Sequence, residues 1–240
     1  LATTISVYQG EAPAQPQTEF LYVLGGSTED LSGFKFDATT GQLAPISIDT
    51  LAGTGPMDLV VDPLGRFVFV AHQLSAELSV FQISPGSGSL SEGLTRTALS
   101  EPPASLGIDA GGRHLFVTLP QSAQVLAYSI HPSTGELDFV SAAATGSGPG
   151  AVNSDPTGHF VYVSNAGGST DTLCSYRFEE GQFTSGPQFI SAPGRPGPVR
   201  FSPSGEHLYV ALAGSNLIVP YLIHPVSGSL TLEASGSAPA

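Results

Sequence analysis

Two arginines interrupt an otherwise apolar stretch near the end of the chain, and their chemistry suits an anionic ligand. Arg195 and Arg200 lie at the start of the last repeated unit, on a predicted inner strand. A guanidinium there is costly to desolvate unless it pairs with an anion or faces water, and its planar fork fits carboxylate or phosphate. The pair therefore predicts an anion grip. The favoured alternative is structural, with Arg200 paired to Asp58 or to a neighbouring backbone carbonyl.

One histidine has the chemistry of a general base. His72 is predicted to lie in a loop after a strand, where an imidazole could accept a proton near neutral pH. The alternative, an ordinary loop residue, stays equally open. Asn153 is a further ligand-binding candidate because it breaks the apolar pattern of another inner strand.

Other polar residues have simpler explanations. His131 and His224 each precede proline and are interpreted as turn caps, and Cys174 is interpreted as buried filler. A third set follows the glycine of a predicted turn and is expected to face solvent away from the site: Arg66, Arg113, His159 and Glu206. The G-x-S-x-G, phosphate-loop and H-E-x-x-H signatures are missing, so no catalytic residue is assigned and neither a metal nor a cofactor is expected.

The elements that must position these residues come from a repeat. An aromatic residue flanked by apolar ones recurs every 46 or 47 residues, at Tyr22, Phe69, Phe116, Tyr162 and Tyr209. A D-P-x-G turn or a variant of it precedes the last four, as at Asp62-Pro63-Leu64-Gly65, and joins two antiparallel strands. In the second unit the predicted strands are roughly 59–62, 67–71, 78–84 and 94–100.

Four antiparallel strands per unit of this length indicate the blade of a β-propeller. The sequence predicts an all-β, single-domain propeller of five blades, at approximately 1–52, 53–99, 100–145, 146–192 and 193–240. Strands such as Val68-Phe69-Val70 are apolar on both faces because each sheet is expected to pack between neighbours. Residues 3–8 are either the inner strand of the first blade or an extra strand of the last one.

Prolines align the inner strands. Pro56, Pro103, Pro149 and Pro196 each enter one. This alignment places Asp58, Ser105, Ala151 and Pro198 at one position, and it places Val60, Gly107, Asn153 and Arg200 at another. Propellers generally bind ligands at the opening on their axis, so the inner-strand polar residues are the predicted site.

Charge and composition exclude several classes of partner. Seven Lys and Arg against 20 Asp and Glu give a net charge of −13, which repels nucleic acid and anionic lipid surfaces. The uncharged stretch 207–232, apart from its histidines, is broken by glycine and proline and predicts strands rather than a membrane span. A single cysteine rules out an internal disulfide. A secreted or periplasmic location is expected, and a cytoplasmic one stays open.

The segment Asp62-Pro63-Leu64-Gly65-Arg66-Phe67-Val68-Phe69-Val70, and its counterpart at 155–163, resembles the D-P-x-G-R-x-L-Y-V repeats of the lactonase-family propellers. The resemblance spans nearly the whole chain. It implies either a lactone hydrolase or a lactonising cyclase. The resemblance implies a ring of seven blades for the enzymes of that family, whereas this chain supplies five repeats. No catalytic motif of the family can be matched to residues of this sequence, so no catalytic residue is assigned from the resemblance.

Three hypotheses follow. The first is a lactonase-like protein that acts on or binds a small anionic or sugar lactone at the axial pocket. The second is a non-catalytic extracytoplasmic propeller that binds a ligand or serves as a scaffold. The third is that five repeats belong to a larger ring or associate with another chain. The expected partner is a small molecule or protein at the axial face, and the expected state is a monomer or weak homo-oligomer.

Overall fold

The computed structural model of the protein describes residues 5–8, 19–25, 31–48, 54–168, 171–233 and 238–239. The chain groups into two compact units, residues 1–103 with 130–137, and residues 104–129 with 138–240. The predicted single-domain boundaries stay a prediction.

The first unit contains two sheets. One is formed by β1 (Ile5–Tyr8), β2 (Glu19–Leu24), β3 (Leu31–Asp37) and β4 (Gln42–Ile46). The other is formed by β5 (Pro56–Val61), β6 (Phe67–His72), β7 (Glu77–Ile83) and β8 (Leu90–Ala98). Each sheet is a meander in which consecutive strands pair antiparallel.

The second unit carries three sheets, except that residues 130–137 of the first of them group with the first unit. That sheet consists of β9 (Ser105–Ile108), β10 (His114–Leu119), β11 (Gln124–Ile130) and β12 (Leu137–Ala144). The next consists of β13 (Pro149–Ser154), β14 (Phe160–Asn165), β15 (Thr172–Glu179) and β16 (Gln182–Ser191). The last consists of β17 (Arg195–Phe201), β18 (His207–Ala213), β19 (Leu217–Ile223) and β20 (Leu230–Leu232), with β21 (Ala238–Pro239) also paired to β19.

The fold is therefore a five-bladed β-propeller with four antiparallel strands in each blade, as the repeat predicted, and the short strand β21 is added to the last blade. None of the described segments forms a helix long and apolar enough to cross a membrane. Strand β1 pairs with β2, so residues 5–8 form the inner strand of the first blade, which decides between the two alternatives.

The repeated turn forms as its residue types require. The backbone N–H of Gly65 donates to the carbonyl of Asp62 at 2.8 Å, and that of Gly158 donates to Asp155 at 2.9 Å. Gly65 has a φ of 66°, a left-handed conformation that glycine adopts without strain. The turn thus connects the inner strand to the antiparallel second strand in each of these two blades.

Apolar surfaces pack between consecutive blades. In the first unit Tyr22 and Phe20 share a buried cluster with Val68 and Phe81 of the next blade. In the second unit Phe116 packs with Tyr176 and Phe178, and Tyr162 packs with Tyr221 in a separate cluster. All six residues of β6 and of β14 are buried, which confirms that these strands are covered on both faces.

Two details differ from expectation. The outer strand β8 begins at Leu90 rather than at residue 94, because Leu90 already pairs with Ile83 across the preceding turn. Tyr209 is 41% exposed, whereas its four counterparts in the repeat are fully buried. Its ring stacks on that of His207 instead.

Candidate functional site

The prolines that enter the inner strands are buried and set a common register. Pro56 pairs with His72, Pro149 with Asn165, and Pro196 with Leu212. Further along, the predicted equivalent positions all face the repeat aromatic of the second strand. Those pairs are Val60 with Phe69, Gly107 with Phe116, Asn153 with Tyr162 and Arg200 with Tyr209.

Arg200 is exposed on β17, and its Nη1 donates to the carbonyl oxygen of Val199 at 2.8 Å. A bond to a neighbouring backbone carbonyl was one of the two structural alternatives for Arg200. It uses one of the five N–H donors of the guanidinium, so most of the donors can bind another group. Arg195 is also exposed but lies at the opposite end of the same strand. Five residues of strand span about 16 Å, so a joint grip of both arginines on one carboxylate is not supported.

Asn153 lies on the inner strand of the blade that precedes that of Arg200. The strands β13 and β17 contact each other, and the two residues occupy the same level of their blades. The Oδ1 atom of Asn153 accepts the backbone N–H of Ser154 at 3.1 Å, which leaves its amide N–H groups for other partners. Asp58 belongs to the first unit, is half-buried, and accepts the N–H of Leu59 at 2.9 Å.

His72 corrects the sequence prediction. It is the last residue of β6 rather than a loop residue, because it continues the ladder between Pro56 and Glu77. Its side chain is fully buried, and neither ring nitrogen has a hydrogen-bond partner among the described residues. Burial lowers the pKa of the imidazole, the charge of Glu77 raises it, and that of Arg96 lowers it. Because the ring is closed off from solvent, a substrate cannot reach it, and His72 is not positioned to act as a general base.

A groove of about 820 Å³ lies elsewhere, between the third and fourth blades. We call it the turn groove, because the turns that follow β9, β13 and β15 line it, with Arg113, His114, Thr157, His159 and Gln182 among their residues. Arg113 and His159 were expected only to face solvent. They are exposed, but they line a concave surface because two blades bring their turns together.

A buried carboxylate anchors the turn groove. The Oδ2 atom of Asp109 lies 2.8 Å from Nδ1 of His114, and Oδ1 accepts the backbone N–H of Arg113 at 2.7 Å. Burial alone would raise the pKa of Asp109, but the hydrogen bonds from the His114 ring and from the backbone hold it below its usual value. The carboxylate is therefore ionised and acts only as an acceptor, which places a proton on Nδ1 of His114.

Arg66 also departs from expectation. Its Nε donates to Oδ2 of the buried Asp62 at 2.6 Å, and its Nη1 donates to the carbonyl of Pro132 at 3.2 Å. By contrast, His131 and His224 cap their turns as predicted, since each ring Nδ1 lies 3.3 Å from a backbone nitrogen within its turn. Cys174 is fully buried, as predicted.

Sequence reasoning missed Asp109 and His114. The available signal was a polar residue at a repeat position that is otherwise aromatic: the second and fourth blades have Phe67 and Phe160 there, and the third has His114. Across the described residues, no group of three or more His, Cys, Asp or Glu side chains is placed to hold a metal ion.

Comparisons with known proteins agree with the propeller architecture. The crystal structure of a proposed 6-phosphogluconolactonase from Bacteroides uniformis superposes on this chain with a TM-score of 0.69 at 16% identity, over 98% of this chain and 84% of that one. A protein from Lactobacillus plantarum gives a TM-score of 0.77 at 20% identity, over 91% and 67%. The periplasmic gluconolactonase of Pseudomonas aeruginosa gives 0.61 at 19% identity, over 98% and 85%. At these identities the likeness shows the fold.

The family is shown by sequence. The profile described as "Lactonase, 7-bladed beta-propeller" matches residues 7–103 and 140–239. The chain therefore belongs to the lactonase family of β-propellers, and it builds five blades of that type. A comparison with curated proteins finds no significant match.

Proposed function

We propose that the protein is a lactonase-like propeller that binds and opens a small lactone carrying an anionic group. The observation that carries the proposal is the exposed guanidinium of Arg200 on an inner strand, at the same level as Asn153 on the adjacent strand. The family to which the chain belongs supports the lactone as substrate class.

In this proposal Arg200 contacts a carboxylate or phosphate, for which its fork of donors is suited. The bond to the Val199 carbonyl holds one side of the guanidinium in place and leaves the others for the ligand. Asn153 supplies amide N–H donors at the same level. A location outside the cytoplasm and a monomeric or weakly associated state belong to the same proposal, and the periplasmic relative from Pseudomonas aeruginosa supports the former.

The experiment is a panel of neutral and phosphorylated sugar lactones, with acid release followed in a pH-stat and corrected for spontaneous opening. Arg200→Ala is expected to raise KM for the anionic lactones by about 10- to 100-fold, because a hydrogen bond to a charged group is lost. KM for the neutral lactones should change little. Arg200→Lys should recover part of the loss.

Lys35→Ala is the matched control, because Lys35 is an exposed cation on β3. It should leave KM unchanged. Absence of turnover on every lactone would overturn the enzymatic proposal, and binding without turnover would favour the non-catalytic alternative. Turnover that Arg200→Ala leaves unchanged would refute the site but not the activity.

A further inference from the structure

The contact between blades at the turn groove differs from three equivalent contacts in the described residues. At those three contacts a phenylalanine at or next to the start of the second strand packs onto a glycine in the next blade: Phe20 onto Gly88, Phe67 onto Gly135 and Phe160 onto Gly228. A methyl group added to Gly88 would lie 2.2 Å from the ring of Phe20, and one added to Gly228 would lie 2.2 Å from Phe160. At the corresponding Gly181 the nearest atom would be Nε2 of His114, at 3.6 Å.

The turn that carries Gly181 is also shorter. Residues 179–182 separate the paired residues Phe178 and Phe183, whereas 84–89 separate Ile83 from Leu90 and 224–229 separate Ile223 from Leu230. The fourth blade thus has two residues fewer at this turn. The ring of His114 is smaller than that of phenylalanine and the turn is shorter, and together they leave the space that forms the groove.

The groove presents donors and acceptors together. The His114 ring is held by the buried Asp109, so that in its neutral form Nε2 is a hydrogen-bond acceptor. Gln182 donates its Nε2 to the carbonyl of Val140 at 3.1 Å, which leaves its Oε1 as an acceptor. Arg113 supplies donors from an exposed guanidinium, and the Thr184 hydroxyl can do either.

The charges of the groove decide what it can bind. Glu179 is neutralised by Arg177, whose Nε lies 2.7 Å from its Oε1, and Asp109 is occupied by His114 and the backbone. The exposed side chains of Glu180 and Arg113 carry opposite charges. An anion would meet Glu180, and a cation would meet Arg113. A neutral molecule rich in hydroxyl groups can use the donors and the acceptors together.

We infer that the turn groove is a binding site for a neutral polyhydroxylated molecule, a monosaccharide or sugar alcohol, with His114 and Arg113 as its principal hydrogen-bonding residues. The volume lies in the range of about 300–1,000 Å³ that is typical of small-molecule sites. The buried ring of Phe178 also lines the groove and packs edge-on against the His114 ring, with 5.0 Å between the ring centroids, which supports the imidazole from below. The site is separate from Arg200 and does not depend on the proposed lactone chemistry.

The test is a titration of the full-length, ¹⁵N-labelled protein with glucose, xylose and sorbitol, followed by amide chemical shifts. Gluconate and glucosamine serve as the charged probes. We expect saturable shifts at residues 109–114 and 180–182 with a neutral probe, and weaker binding of both charged probes. His114→Phe, which introduces the residue type of Phe20, Phe67 and Phe160 at this position, should weaken binding by about tenfold or more.

His207→Phe is the matched control, because His207 occupies the same repeat position in the fifth blade and lies outside the groove. It should leave binding unchanged, as should Arg200→Ala. A second variant replaces residues 179–182 with the six-residue turn 84–89 and should close the groove. No saturable shift with any neutral probe, preference for gluconate or glucosamine, or full binding by His114→Phe would each overturn the inference.

Discussion

The hydroxyl of Tyr22 donates a hydrogen bond of 2.7 Å to the carbonyl oxygen of Gly88, in the turn between the third and fourth strands of the next blade. The same bond recurs from Tyr162 to Gly228 at 2.9 Å, with the same separation of 66 residues. At the third blade Phe116 has no hydroxyl, and the carbonyl of Gly181 accepts the Ser141 hydroxyl at 2.9 Å instead. Each bond ties one blade to the turn of the next.

Removing this bond should cost stability. Tyr162→Phe leaves the buried Gly228 carbonyl without its partner and is expected to lower the free energy of unfolding by about 1–2 kcal/mol. Tyr221→Phe is the matched control, because the Tyr221 hydroxyl is buried and has no partner among the described residues. It should not lower stability. Denaturant unfolding of both variants checks the prediction, and equal losses would contradict it.

Alanine at two equivalent turn glycines should have unequal effects. Gly228 and Gly181 have φ values of 67° and 79°, so alanine strains the backbone at both by about 1 kcal/mol. At Gly228 the added methyl would also collide with Phe160, which adds about 1–3 kcal/mol of overpacking. Gly228→Ala should therefore have a clearly lower Tm than Gly181→Ala. Similar Tm values would show that the groove side is packed as tightly as the other.

His72 should make the protein sensitive to mild acid. Its pKa in the folded state lies below the ordinary 6.5, chiefly because burial disfavours the charged ring. The unfolded chain therefore takes up the proton first as pH falls, and stability that is complete above about pH 6.5 is lost below it. His72→Leu should flatten this dependence when the free energy of unfolding is measured across pH.

The same variant should be more stable at neutral pH. Leucine is the residue at the equivalent buried positions 119 and 212, and it removes two ring nitrogens that lack partners. We expect a gain of about 1–2 kcal/mol in the free energy of unfolding. The converse change, Leu119→His, should lose stability and acquire the acid sensitivity. A destabilised His72→Leu would indicate that the ring nitrogens have a partner such as water.

Asp109 should contribute stability with its own acid limit. Its folded pKa lies below the ordinary 3.8, because hydrogen bonds to the carboxylate outweigh the opposing effect of burial. That contribution is present above about pH 3.8 and is lost as pH falls through the folded pKa. Asp109→Asn is expected to cost about 1–2 kcal/mol at neutral pH and to lessen the decline in acid. Unchanged stability at neutral pH would argue against the role assigned to the Asp109–His114 pair.

Local sequence patterns carried most of the fold. The strands follow from apolar residues with the period of a sheet, and the D-P-x-G signal located the turns before Phe67 and Phe160 correctly. Equivalence of Val60, Gly107, Asn153 and Arg200 could be read from the spacing of the prolines. These features depend on residues close together in the chain, so one repeat unit contains the information needed.

The sites were harder to predict because they depend on which side chains meet across blades. The burial of His72 follows from how strand β6 is covered, and the turn groove follows from contacts between residues 114 and 181. The sequence by itself determined five sheets, their turns and the polar residues of the inner strands. Only the tertiary structure decided that His114 faces a shortened turn and is held by Asp109, because packing between blades joins residues that no local pattern connects.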